Sequence, residues 1–120
     1  MKTIVLVEDN SMFRSTIKEY FELKGKLKCH AFGKPKEALE FVVTNRAEID
    51  GVVTDYEMGA MNGFQLSEKL LEQFPDLKIV LMSGHDVNYL REICKKYNLE
   101  DKVELLSKSQ LDSLLELIWI

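Results

Sequence analysis

The apolar positions of the chain alternate between two spacings. Thr3-Ile4-Val5-Leu6-Val7 is an unbroken β-branched and aliphatic run that stops at Glu8-Asp9-Asn10, the pattern of a strand covered on both faces. Asn10 or Ser11 then caps a helix whose Phe13, Ile17, Tyr20 and Phe21 fall at helical spacing, with Gly25 as the expected stop. The same pair recurs. Leu27 to Phe32 predicts a strand, and Pro35 opens a helix carrying Ala38, Leu39, Val42 and Val43. Gly51 to Asp55 predicts the third strand, followed by a helix that Asn62 or Gly63 opens, that carries Leu66, Leu70 and Phe74, and that Pro75 ends. Leu77 to Met82 is the fourth strand. The helix after it, from about Asp86 to Tyr97, turns Val87, Leu90, Cys94 and Tyr97 inward. Val103 to Leu106 is the fifth strand, and Gln110 to the end is the last helix, with Leu111, Leu114, Leu115 and Ile118 on its core stripe.

Strands alternating with helices in this way predict an α/β fold: a five-stranded parallel sheet with five helices, since right-handed crossovers lay the helices over both faces. Chemistry in such a sheet collects beyond the carboxyl ends of the strands. Those ends carry Glu8 and Asp9 after strand one, Asp55 after strand three, Ser83 after strand four and Lys108 after strand five. In the flavodoxin-like order 2-1-3-4-5, strands one and three are neighbours, and three carboxylates converge on one crevice. Left alone they repel and raise one another's pKa. A hard divalent cation relieves this, and Mg2+ takes oxygen ligands while keeping several waters.

Composition narrows the range of functions. The 120 residues are 46% hydrophobic and 30% charged, which fits one domain over residues 1–120. A formal charge of −4 lacks the basic footprint of a nucleic-acid binder. The run from Thr3 to Val7 is too short for a membrane span or a signal-peptide core, so no membrane is involved and the expected location is cytoplasmic. Cys29 and Cys94 fit neither a metal pair nor a disulfide scaffold and read as reduced thiols.

A metal site beside a carboxylate, a hydroxyl and an ammonium suits phosphoryl transfer, with the carboxylate as nucleophile and Ser and Lys binding the equatorial oxygens. Neither a Ser-His-Asp arrangement nor GxxxxGK[ST] nor GxGxxG after strand one is present. With these residues in view, the chain resembles a response-regulator receiver domain of two-component phosphorelay signalling along essentially its whole length. Glu8-Asp9 is similar to the family's acidic pair, and Asp55 through Gly63 to its phosphoacceptor motif. Met82-Ser83-Gly84 and Leu106-Ser107-Lys108 are similar to the hydroxyl-bearing and lysine-bearing strand ends.

The resemblance implies phosphorylation of Asp55, with Mg2+ held by Glu8, Asp9, Asp55 and the backbone carbonyl of Glu57. Ser83 would bond the phosphoryl group and Lys108 would pair with it. Glu57 and His85 occupy positions where the family varies and would tune the rates of phosphorylation and hydrolysis; His30, in mid-strand, reads as structural. The implied partners are a histidine kinase or phosphotransfer protein as donor, a downstream effector, and a second receiver through the face of helix four, strand five and helix five. The chain would catalyse only its own phosphoryl transfer and hydrolysis.

Three positions depart from the family pattern. Gly59 stands where proline usually follows the methionine, Ser109 where proline usually follows the lysine, and Leu105 where an aromatic switch residue is usual. They support a rival reading, a degenerate interaction module that signals without phosphate. An acid-phosphatase-type aspartate enzyme would need a second aspartate two residues after the nucleophile, where Glu57 stands. Leu117 and Ile120 fall off the core stripe of the last helix, as a partner surface or as the cut end of a longer chain.

Overall fold

The structure is a computed structural model and describes residues 1–113. Five parallel strands, β1 (Thr3–Val7), β2 (Lys28–Phe32), β3 (Gly51–Asp55), β4 (Lys78–Ser83) and β5 (Glu104–Ser107), form one sheet in the order β2-β1-β3-β4-β5. Between them run α1 (Ser11–Leu23), α2 (Pro35–Asn45), α3 (Gly63–Gln73) and α4 (Val87–Lys96). Lys108–Gln110 forms a 3-10 turn, and the backbone is helical again at 111–113. The expected core stripe of the last helix beyond Leu111, and the off-stripe Leu117 and Ile120, lie outside the described residues.

Strand side chains alternate between the two faces, and this sorts the apolar core into two clusters. Ile4, Leu6, Val53, Val80 and Met82 pack under Ile17 and Phe21 of α1, with Leu111 half-buried beside them. Val5, Val7, Val52, Ile79 and Leu81 pack under Ala38 and Val42 of α2, Phe64, Leu66 and Leu70 of α3, and Leu90 and Cys94 of α4. Cys29 and Cys94 are both free and buried. Burial pushes the Cys29 thiol up to about 12, as for a small apolar core residue.

Helix ends follow local chemistry. Asn10 accepts from Phe13 N at the start of α1, Pro35 is the first residue of α2, and Asn62 and Gln65 form a reciprocal capping box on α3. Asp86 caps α4 through Asn88 N. α1 ends at Leu23 with Lys24 as its C-cap, so Gly25 is the first residue past the helix as expected, and the left-handed residue of the following turn is Lys26, with φ of 52°. That turn is held by Gly25 N and Leu27 N, both donating to Phe21 O at 3.1 Å, and it delivers Leu27 to the core. Val87, expected inward, is half-buried, while Leu90 and Cys94 are buried. Among the described residues no helix is long and apolar enough to cross a membrane.

Candidate functional site

Register alone brings the strand ends together. Val7 pairs with Thr54, so the next residues, Glu8 and Asp55, emerge side by side. Asp55 pairs with Met82, which puts Ser83 one step beyond; Ser83 pairs with Ser107, and Lys108 follows. Asp55 is 6% exposed, and Glu8 and Ser83 are each 1% exposed. Asp9, by contrast, is exposed at the mouth. Glu8, Asp9 and Asp55 each offer one carboxylate oxygen, all within 4.8 Å of one another.

Lys108 reaches into this cluster, its Nζ 3.0 Å from Glu8 Oε1 and 3.3 Å from Asp55 Oδ1. Phe13 of α1 lies below the ammonium, with its ring centroid 4.4 Å from Nζ, a cation–π contact. Asp55 Oδ1 also accepts from Tyr56 N at 2.9 Å, and Glu8 Oε2 accepts from Asn10 N at 3.1 Å. Arg14 Nη1 donates to the Glu8 carbonyl at 2.8 Å and fixes the end of β1. Glu8 Oε1 is buried and faces the Lys108 ammonium as its ion-pair partner, with no further hydrogen-bond partner among the described residues.

The charge balance follows from these distances. Burial first, then the neighbouring Glu8 carboxylate, pushes Asp55 from 3.8 up to about 6. Lys108 and the Tyr56 N–H pull the other way without cancelling the rise. Burial lowers the Lys108 pKa, but the Glu8 and Asp55 carboxylates beside the ammonium outweigh it and leave it raised. One ammonium therefore serves two buried carboxylates. A buried carboxylate oxygen whose one partner is an ammonium shared with Asp55, in a set of hard oxygen ligands, fits Mg2+.

Of the remaining expected residues, Glu57 and His85 lie at the rim. Ser83 Oγ accepts from His85 N at 2.9 Å. His85 Nε2 and Glu57 Oε1 meet at 2.6 Å, joining the two loops that follow β3 and β4. Leu105 stands apart from the crevice, half-buried in a cavity of about 360 Å³ between α4 and β5 that Cys94 and Val103 also line. His30 packs against Phe41 at 4.7 Å, away from the strand ends. Met58 is buried under Thr54 Oγ1, and Gly59 adopts φ of 41°. Phe13, Arg14 and Asn10 were not foreseen as neighbours of the acidic pair. Their signal was the start of α1 directly after Glu8-Asp9, which turns the first helical residues toward the strand ends.

The family model for the response regulator receiver domain matches residues 4–118. A putative two-component response regulator of Arabidopsis thaliana, ARR21, is 31% identical over 81 residues, covering 68% of this chain and 13% of that protein. The transcriptional regulatory protein DegU of Brevibacillus brevis is 28% identical over 94 residues, covering 77% of this chain and 39% of that one. The chain thus spans well under half the length of these curated relatives. Among solved structures, a response regulator receiver domain protein from Clostridium thermocellum superposes with a TM-score of 0.82 at 20% identity, over 97% of this chain and 92% of that one. The response regulator TrrA of Thermotoga maritima, solved in complex with Mg2+-BeF, gives 0.80 at 22% identity, over 97% and 95%.

Proposed function

Because the chain belongs to the response regulator receiver domain family, we propose that it accepts a phosphoryl group on Asp55 from a phosphohistidine donor, with Mg2+ bound, and that its affinity for a partner changes as a result. The observation that carries this reading is the pairing of two buried carboxylates, Glu8 and Asp55, with one ammonium at 3.0 and 3.3 Å. Such a group of charges is costly to bury unless it has work to do.

Asp55 is the nucleophile: its carboxylate oxygen forms the new O–P bond as the donor's N–P bond breaks, and the electron pair leaves with the donor imidazole. Lys108 holds Asp55 in position beforehand and pairs with the phosphoryl oxygens afterwards. Ser83 presents a hydroxyl one step along β4 for a further phosphoryl oxygen, its Oγ oriented by the His85 N–H. Glu8, Asp9, Asp55 and the Glu57 carbonyl would hold Mg2+, which when bound neutralises phosphoryl oxygens. The donor is a histidine kinase or phosphotransfer protein. A downstream effector or a second copy of the chain would read the change at the α4–β5 side, where Arg91, Lys95, Glu104 and Leu105 border the cavity. The setting is cytoplasmic, and the turnover is confined to the chain's own phosphorylation and hydrolysis.

The test is intact-mass measurement after incubation with Mg2+ and acetyl phosphate. One labile acyl phosphate per chain is expected, absent in Asp55→Asn and absent with excess chelator. Equal labelling of Asp55→Asn would overturn the assignment, and no labelling of the wild type would favour an interaction module that works without phosphate.

A further inference from the structure

Phosphoryl transfer as described leaves one contact at the rim of the crevice unused. Glu57 lies two residues after Asp55 and His85 two residues after Ser83, so their 2.6 Å contact ties the two loops that carry the reacting groups. Both side chains are more than half exposed, at 63% and 54%. Exposed pairs of this kind contribute little net stability, so little holds the imidazole to Glu57. His85 is anchored independently of Glu57. Its backbone N–H donates to Ser83 Oγ, and its ring lies 4.9 Å from that of Tyr89 on α4. Tyr89 in turn sits 6.3 Å from Tyr56, the residue after Asp55. The imidazole thus belongs to the Ser83 loop and to α4 as well as to its contact with Glu57.

A phosphoryl group on Asp55 brings nearly two negative charges and three strong acceptor oxygens, and it arrives two residues from the Glu57 carboxylate. We propose that His85 is a phosphoryl-binding residue held in reserve by Glu57: on phosphorylation its imidazole N–H leaves the Glu57 carboxylate and donates to a phosphoryl oxygen, and Tyr89 moves with it. No covalent bond changes in this exchange; one hydrogen bond passes from a carboxylate to a phosphoryl oxygen. Glu57 opposes the modified state twice, through its charge and by occupying the donor. The exchange also gives α4 a mechanical link to the site that does not pass through position 105. The inference rests on Asp55 being the phosphoacceptor.

Beryllofluoride with Mg2+ serves as the probe, titrated at one pH into wild type, Glu57→Gln, His85→Ala, His85→Gln and the Glu57→Gln/His85→Ala double variant. Loss of His85 should weaken binding about tenfold or more, as for a hydrogen bond to a charged group, and His85→Gln should recover part of it through its amide N–H. Glu57→Gln should tighten binding in the wild-type background and tighten it less in the His85→Ala background, where only the charge contribution remains. Tyr89 ring resonances should shift at saturation in wild type and stay in place in His85→Ala. An equal gain from Glu57→Gln in both backgrounds would mean that Glu57 acts by charge alone, and would overturn the exchange, as would unchanged affinity in His85→Ala. Failure of the Asp55 assignment looks different: wild type would not bind the probe, or Asp55→Asn would bind it equally well.

Discussion

Asp55 is the residue on which the energetics of the crevice turn. Its carboxyl is pushed from 3.8 to about 6 by burial and by Glu8, against the pull of Lys108. The folded chain therefore holds this proton more tightly than the unfolded chain does. Its contribution to stability is full below about pH 4 and is lost as pH rises through 6. A shift of this size corresponds to roughly 3 kcal/mol at most. Asp55→Asn keeps an acceptor for Tyr56 N, and Lys108 keeps Glu8. Denaturant unfolding in chelator should therefore find the variant equal to wild type near pH 4 and about 1–3 kcal/mol more stable at pH 7.5. Added Mg2+ should narrow the gap by favouring the wild-type carboxylate. A variant that is less stable than wild type at pH 7.5, or a gap that ignores pH, would contradict this account. Asp9 is exposed, so its removal should relieve far less repulsion than removal of Asp55.

At the scale of the elements, the β3–α3 connection needs glycine for two different reasons. A Cβ on Gly63 would collide with the Asp55 carbonyl and stand 2.7 Å from Leu81 Cδ2. Gly59 has open space around it, but its φ of 41° disfavours any side chain. Gly63→Ala should cost about 1–3 kcal/mol by overpacking and push α3 away from Asp55, so acetyl phosphate labelling should fall with stability. Gly59→Ala should cost about 1 kcal/mol, the left-handed penalty alone, with labelling retained; equal costs at the two positions would refute the distinction. The elements themselves were legible because short unbroken apolar runs give way to helical spacing at each boundary, and the placement of Glu8 beside Asp55 follows once the strand order is assumed. Other features were not legible. The left-handed residue after α1 is Lys26, one residue past the glycine and just before the buried Leu27. The pairing of Glu57 with His85, 28 residues apart, depends on the mutual approach of two loops, which no periodicity encodes. The ring of Phe13 under Lys108 depends on the angle at which α1 leaves β1.

Across the whole molecule, one route from the crevice to the α4–β5 face runs along the sheet, and position 105 lies on it. Leu105 pairs with Leu81 two residues before Ser83 pairs with Ser107, and its side chain packs on the α4 side of the core. If the Ser83 hydroxyl moves toward a phosphoryl group, Leu105 can repack into the vacated space. A leucine gains less buried surface there than a tyrosine, whose ring can bury about 150 Å² or more. The energy difference between the two states should therefore be small, and the coupling between phosphorylation and partner binding at or below the usual range of about 1–3 kcal/mol. The measurement is the affinity of an effector protein for the unmodified and the beryllofluoride-loaded chain, in wild type and in Leu105→Tyr. Wild type should show a modest ratio and Leu105→Tyr a larger one, because the ring adds buried area only in the loaded state. A wild-type ratio above about a hundredfold with no gain in Leu105→Tyr would mean that the sheet transmits through another route, and the Tyr89 contact on α4 is the one that His85 would drive.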